Sequence, residues 1–271
     1  MTLTSILVSV DLGPACADRV QLAAGLAAAH AARLVGVAAC PVPVIVPAGD
    51  GIAAERLSDA EEHRARERLA AAEALFEREA GSVAKRAWHG KLALPLAMTA
   101  EQARGADLVI VGRHGPADGD PGPMGVSPGA LLMEAGRPVL VAPPGLERLV
   151  PKRVVVAWKD TSEARRAVHD ALPLLAGAER VCVVAVGSDA HRGGAEATAQ
   201  YLSGHGLTAT AHLLPNPVLS VADELLRVCE REGADLLVMG AYGHSRLREW
   251  VFGGVTRDIL RTARLCCLMS H

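Results

Sequence analysis

The chain has 271 residues, half of them apolar and only 3% aromatic, with 28 Lys and Arg against 30 Asp and Glu for a formal net charge of −2. That near-neutral balance gives no general electrostatic drive toward nucleic acid or an anionic membrane, and so few aromatic rings provide no stacking platform for single-stranded nucleic acid. Ala, Val and Leu dominate the apolar half, which suits helices packed closely on a parallel sheet, and the length suffices for one large domain or two ordinary ones.

The first residues lack a basic segment followed by a long apolar one, and 5–10 reads as a strand instead. Helical spacing follows at 16–31 and a second strand at 34–40. The apolar run 34–46 is too short to span a membrane and contains Pro41 and Pro43. A long helix is expected at 54–80, with Leu57, Leu69, Ala72 and Phe76 near helical spacing. Arg64, Arg66 and Arg68 alternate there with Glu62, Glu67 and Glu73, a solvated face laced with ion pairs. Strands at 83–88, 107–111 and 138–142 and helices at 95–104 and 127–135 complete this half.

Pro143-Pro144-Gly145, running to Pro151, then breaks the pattern and separates a domain at 1–145 from one at 151–271. Beyond it, strands fall at 153–158, 180–186, 208–214, 235–239 and 265–269, with helices near 162–176, 192–205, 218–232 and 254–263. No run of 18 apolar residues occurs, so the expectation is a soluble, cytoplasmic protein without membrane contact. Six cysteines show no C-x-x-C spacing. Cys267 and His271 lack two further ligands, so no metal site is assigned.

The two halves repeat each other. Ala106-Asp107-Leu108-Val109-Ile110-Val111-Gly112 parallels Ala234-Asp235-Leu236-Leu237-Val238-Met239-Gly240, each followed by two residues and a second glycine. Ile6–Asp11 parallels Val154–Lys159, and Arg137–Val141 parallels Arg264–Leu268, in the same order. Strands alternating with helices, with continuous apolar strands buried on both faces, argue for two doubly wound parallel sheets.

Ligands of such sheets sit beyond the carboxyl ends of the strands, where strand order reverses. The relevant segments are Asp11-Leu12-Gly13 and Lys159-Asp160-Thr161 after the first strands, and 112–125 and 240–254 after the fourth. Gly240-Ala241-Tyr242-Gly243 is followed nine residues later by Gly253-Gly254-Val255-Thr256 and a helix. Glycines let a backbone approach a ligand closely, and amides at a helix start can point at an anion. With the Thr256 hydroxyl in the first turn, a phosphate is the natural guest. The same glycines serve tight turns and helix packing equally well, and spacing alone does not separate the two.

Gly240-x2-Gly243-x9-Gly253 resembles the Gly-x2-Gly-x9-Gly-(Ser/Thr) signature of the universal stress protein family, and Gly112-x2-Gly115-x9-Gly125 is similar. The resemblance runs through both halves. It implies two tandem Rossmann-like α/β domains of the adenine nucleotide alpha hydrolase type, each a five-stranded parallel sheet with helices on both faces. It also implies ATP, with Mg²⁺, as ligand. The glycines and Thr256 or Ser127 would cradle phosphates, and Asp11 would stand at the adenine-ribose end. The family habit further implies that 138–142 and 265–269 pair edge to edge, giving a dimer-like arrangement within one chain, and a homodimer beyond it.

The departures are specific. Gly254 and Val126 occupy the hydroxyl positions, Ser127 comes one place late, and Lys159 replaces the acidic residue. The first spacer carries Asp118 and Asp120 and no cation, whereas the second carries His244, Ser245, Arg246 and Arg248. If only one half binds ATP, that contrast points to the C-terminal half, against which stands Asp11, present only in the first. There is no G-x-x-x-x-G-K-[ST], no G-x-G-x-x-G, no G-x-S-x-G and no H-E-x-x-H. Three readings remain: a regulator that senses adenine nucleotide, an interaction module with degenerate pockets, and a slow ATP hydrolase. The last has no base in evidence beside the glycine loop.

Overall fold

The computed structural model describes residues 2–43, 51–243 and 254–271. Strands β1 (Ser5–Ser9), β2 (Arg33–Cys40), β3 (Arg86–Leu92), β4 (Leu108–Gly112) and β5 (Val139–Ala142) alternate with helices α1 (Cys16–His30), α2 (Gly51–Glu79), α3 (Pro95–Ala103) and α4 (Pro128–Glu134). After the proline-rich segment come β6 (Arg153–Ala157), β7 (Arg180–Val186), β8 (Ala209–Leu214), β9 (Leu236–Gly240) and β10 (Cys266–Ser270). Between them lie α5 (Ser162–Leu175), α6 (Ala195–Gly204), α7 (Val221–Glu232) and α8 (Val255–Thr262).

All ten strands form one sheet in the order β3-β2-β1-β4-β5-β10-β9-β6-β7-β8. Pairing is parallel within each half and antiparallel at the centre, where Cys267, Leu268 and Met269 of β10 face Val141, Leu140 and Val139 of β5. The two parallel sheets expected from the repeat are therefore fused along the edges that the family resemblance implied. The union gives both final strands a hydrogen-bonding neighbour on each side, which removes two open edges.

Alternate strand residues point to opposite faces. Ile6 and Val8 join a core beneath α1, α2, α5 and α6. Leu7 joins a second core beneath α3, α4, α7 and α8. Helix ends follow local chemistry. The Thr161 hydroxyl accepts the Ala164 N–H at the start of α5, and the Ser220 hydroxyl accepts the Asp223 N–H at the start of α7. Gly233 closes α7 in the left-handed conformation.

One strand departs from expectation. The third begins at Arg86 rather than at residue 83, because Val83 turns back to donate its N–H to the Ala80 carbonyl. An outermost strand is half-solvated, so β3 carries Arg86, His89 and Lys91, and an apolar run is the wrong signature for it. No helix among the described residues is long and apolar enough to cross a membrane.

Candidate functional site

Strand order reverses between β6 and β9: the chain leaves β6 through α5 on one face and reaches β9 from α7 on the other. At the carboxyl ends of these strands lies a cavity of about 150 Å³. Val184, Val186, Val221, Leu225 and Met239 make its apolar part, and Trp158, Lys159, Thr161, Tyr242, Gly243 and Thr256 its polar rim. The Trp158 indole N–H donates to the Gly193 carbonyl, which fixes the ring as one wall.

The glycine loop has two jobs here. At Gly240 a Cβ would lie 2.5 Å from the Ala164 nitrogen and 2.7 Å from the Glu163 carbonyl carbon, so the start of α5 rests directly on the end of β9. This glycine serves helix packing. Gly243 is exposed and lines the cavity mouth, with Glu163 Oε2 at 3.2 Å from its would-be Cβ. Burial pushes the Glu163 carboxyl upward, but hydrogen bonds from its own backbone amide and the Ser162 and Thr161 hydroxyls, with Arg166 nearby, hold it below the usual range. Gly254 adopts the extended N-cap conformation of α8. The Thr256 hydroxyl is buried and accepts the Tyr242 N–H at 3.3 Å, so it ties the loop to the helix besides facing the cavity. Gly253, Arg246 and Arg248 lie outside the described residues.

The equivalent crevice of the first half, between β1 and β4, is about 20 Å³. Arg19 reaches into it from α1. Its guanidinium lies 2.8 Å from Asp11, donates to the Ser9 carbonyl, and would sit 2.3 Å from a Cβ on Gly112. Both partners of this pair are 4% exposed. Asp11 is thus bound to a side chain of its own half at the position the resemblance gives to adenine and ribose.

The spacer acids are each held by neighbours of their own half. Asp118 accepts from the Arg113 guanidinium at 2.7 Å and from the Gly115 N–H at 2.6 Å, and Asp120 accepts from the Gly122 N–H at 2.8 Å. The Arg113 bond holds the Asp118 carboxyl below its usual range against the opposing effect of burial. Gly115 also faces the Arg261 carbonyl of the other half, and Gly125 packs on Pro121. Ser127 is exposed and makes no capping bond, and Pro128 removes an amide from the start of α4, which has only seven residues.

The sequence profile of the Universal stress protein family matches residues 2–143 and 218–271, well over half of the chain. The chain belongs to the universal stress protein family. A curated universal stress protein of Synechocystis sp. is 28% identical over 168 residues, which cover 57% of this chain and 54% of that protein, so the chain spans about half of that relative's length. A universal stress protein from Archaeoglobus fulgidus DSM 4304 superposes with a TM-score of 0.70 at 13% identity, covering 97% of this chain and 94% of that one. A protein of unknown function from Pseudomonas aeruginosa PAO1 gives 0.57 at 18% identity, covering 98% and 92%. At these identities the structures speak for the fold, which is the Rossmann-like α/β arrangement of universal stress proteins.

The family profile leaves out residues 144–217, which hold β6, α5, β7, α6 and β8. The topology nevertheless repeats there strand for strand. This is the part that puts Trp158 and Lys159 where the other half has Val10 and Asp11. Four residues that shape the sites escape a reading of family motifs: Arg19, Arg113, Glu163 and Tyr242. Only Tyr242, placed between two motif glycines, carried any signal. The others act through side chains that tertiary packing brings to the loops. Among the described residues no group of three or more His, Cys, Asp or Glu converges to hold a metal ion.

Proposed function

We propose that this chain is a stress-response regulator that binds an adenine nucleotide in the cleft of its C-terminal half. The carrying observation is the contrast between the crevices: one lies open at the β6–β9 reversal, and the other is filled by Arg19 on Asp11. The base and sugar occupy the apolar cavity beside Trp158. At about 150 Å³ it is smaller than a typical whole-ligand pocket of about 300–1,000 Å³. The phosphates therefore extend outward, past Gly243 toward the amides at the start of α8.

Lys159 at the rim supplies positive charge, and Glu163 opposes it beside Gly243. The Glu163 carboxylate would repel a bare phosphate, since two like charges about 4 Å apart cost about 1 kcal/mol even in water. A magnesium complex of ATP suits this mouth better than the bare anion. The setting is cytoplasmic, and self-association is a separate question for light scattering.

Titration calorimetry with magnesium ATP tests the reading, together with mass spectrometry of molecules released from the denatured protein. Gly243→Val is expected to abolish the binding heat, while Ser127→Val on the exposed equivalent of the first half leaves it unchanged. No heat and no carried nucleotide in the unmodified protein would move the reading to an interaction module. Loss of heat in the Ser127 variant alone would transfer the site to the first half.

A further inference from the structure

We infer that the C-terminal cleft is a composite site, in which Gly129 of the first half is a positioning residue acting through Tyr242. This rests on the proposed reading of that cleft. Tyr242 lines the cavity and sits between Gly240 and Gly243 with φ at +55°, a conformation that residues bearing side chains rarely hold. Something must keep it there. Its N–H is bonded to Thr256, its ring meets His271 edge-on with centroids 6.5 Å apart, and its hydroxyl reaches across to the second residue of α4. A Cβ on Gly129 would lie 2.6 Å from that hydroxyl oxygen and 3.7 Å from the ring carbon bearing it. The seat exists because residue 129 has no side chain.

The arrangement is reciprocal. The glycine loop of the first half leans on the end of α8, where Arg113 donates to the Ala263 carbonyl and Gly115 abuts the Arg261 carbonyl. Each loop thus rests on the last helix of the opposite half. In the first half the contact meets a filled crevice. In the second it holds the backbone of Tyr242 and Gly243 at the mouth of the open one. Residue 129 lines no part of that cavity, so any effect on the ligand passes through the tyrosine.

The test is a double-mutant cycle in the full chain. Gly129→Ala drives the added methyl group into the tyrosine hydroxyl, so the ring must move, and is expected to weaken magnesium ATP about tenfold, within the range of coupling between residues in contact. Tyr242→Phe alone removes a polar atom of the cavity rim and serves as the reference for the cycle, and adding Gly129→Ala to it is expected to cost less than about twofold further. Hydrogen exchange without nucleotide gives a second readout: the Tyr242 amide, bonded to Thr256, exchanges faster in Gly129→Ala and returns to its original rate in the double variant. If the unmodified protein binds no ATP, the proposed function fails, and exchange alone decides the Gly129–Tyr242 coupling. If Gly129→Ala does not fold, recovery of folding in the double variant reports the same contact. Unchanged affinity and exchange in Gly129→Ala, or an equal loss when it is added to Tyr242→Phe, would overturn the inference.

Discussion

Arg19 and Asp11 decide the character of the first crevice, and their burial makes the decision costly to undo. Removing one partner of a buried pair strands the other charge, at roughly 3–5 kcal/mol. Arg19→Ala is therefore expected to lower stability by about that much, and Asp11→Ala/Arg19→Ala to be markedly less damaging than the single change. Urea unfolding of the three variants measures this; equal losses in the single and double variants would contradict the pairing. Asp118 makes a second prediction. Its carboxyl is held below the usual value by Arg113 and the Gly115 amide. A depressed folded-state pKa contributes stability that is complete above the unfolded value of about 3.9 and fades as pH falls through the folded one. Between about pH 5 and pH 2 the wild type should lose more stability than Asp118→Asn, in which this group no longer titrates. Parallel acid-unfolding curves would show that the carboxylate contributes nothing.

At the contact of α5 with β9 the two backbones leave no room for a side chain. Gly240→Ala meets backbone atoms of Glu163 and Ala164, which cannot rotate away. A loss of about 1–3 kcal/mol is expected from such overpacking. Gly25→Ala, in mid-α1 with open space around it, should instead gain about 0.5–1 kcal/mol. Thermal unfolding of the pair reads both signs, and a neutral Gly240→Ala would remove the packing account of that glycine. The same contact shows how far motif spacing reaches. Gly240 and Gly243 lie three residues apart in a phosphate-loop pattern, yet one faces a helix and the other a cleft. Spacing cannot separate them, because the separating fact is where α5 begins to pack.

For the molecule as a whole, the β5–β10 ladder couples two halves that the sequence presents as separate repeats. Leu140 and Leu268 face each other there and are fully buried. The expectation is one cooperative thermal transition with calorimetric and van't Hoff enthalpies in agreement. Leu268→Asp should break this into two transitions, or lower the midpoint of the single one steeply, because it buries an unpaired charge at the seam. Two transitions already present in the unmodified chain would show that the seam does not couple the halves.

The sequence by itself determined the alternation of strands and helices, the twofold repeat and the family. These depend on local propensity, on apolar runs and on glycines at set spacing, all of which are written along the chain. Among the described residues the polar edge strand β3 runs three to four residues later than its expected span, because an edge strand lacks the apolar run that marks a buried one. Only the tertiary structure decided which crevice is open. Arg19 stands eight residues from Asp11 and far along the chain from Gly112, and nothing in their spacing says that a guanidinium will lie between them. Asp118 pairs with Arg113, and Gly129 leaves a seat for Tyr242. In each case the physical reason is the same: a side chain takes its role from the neighbours that packing brings within hydrogen-bonding or contact distance, and those neighbours come from other elements or from the other half of the chain.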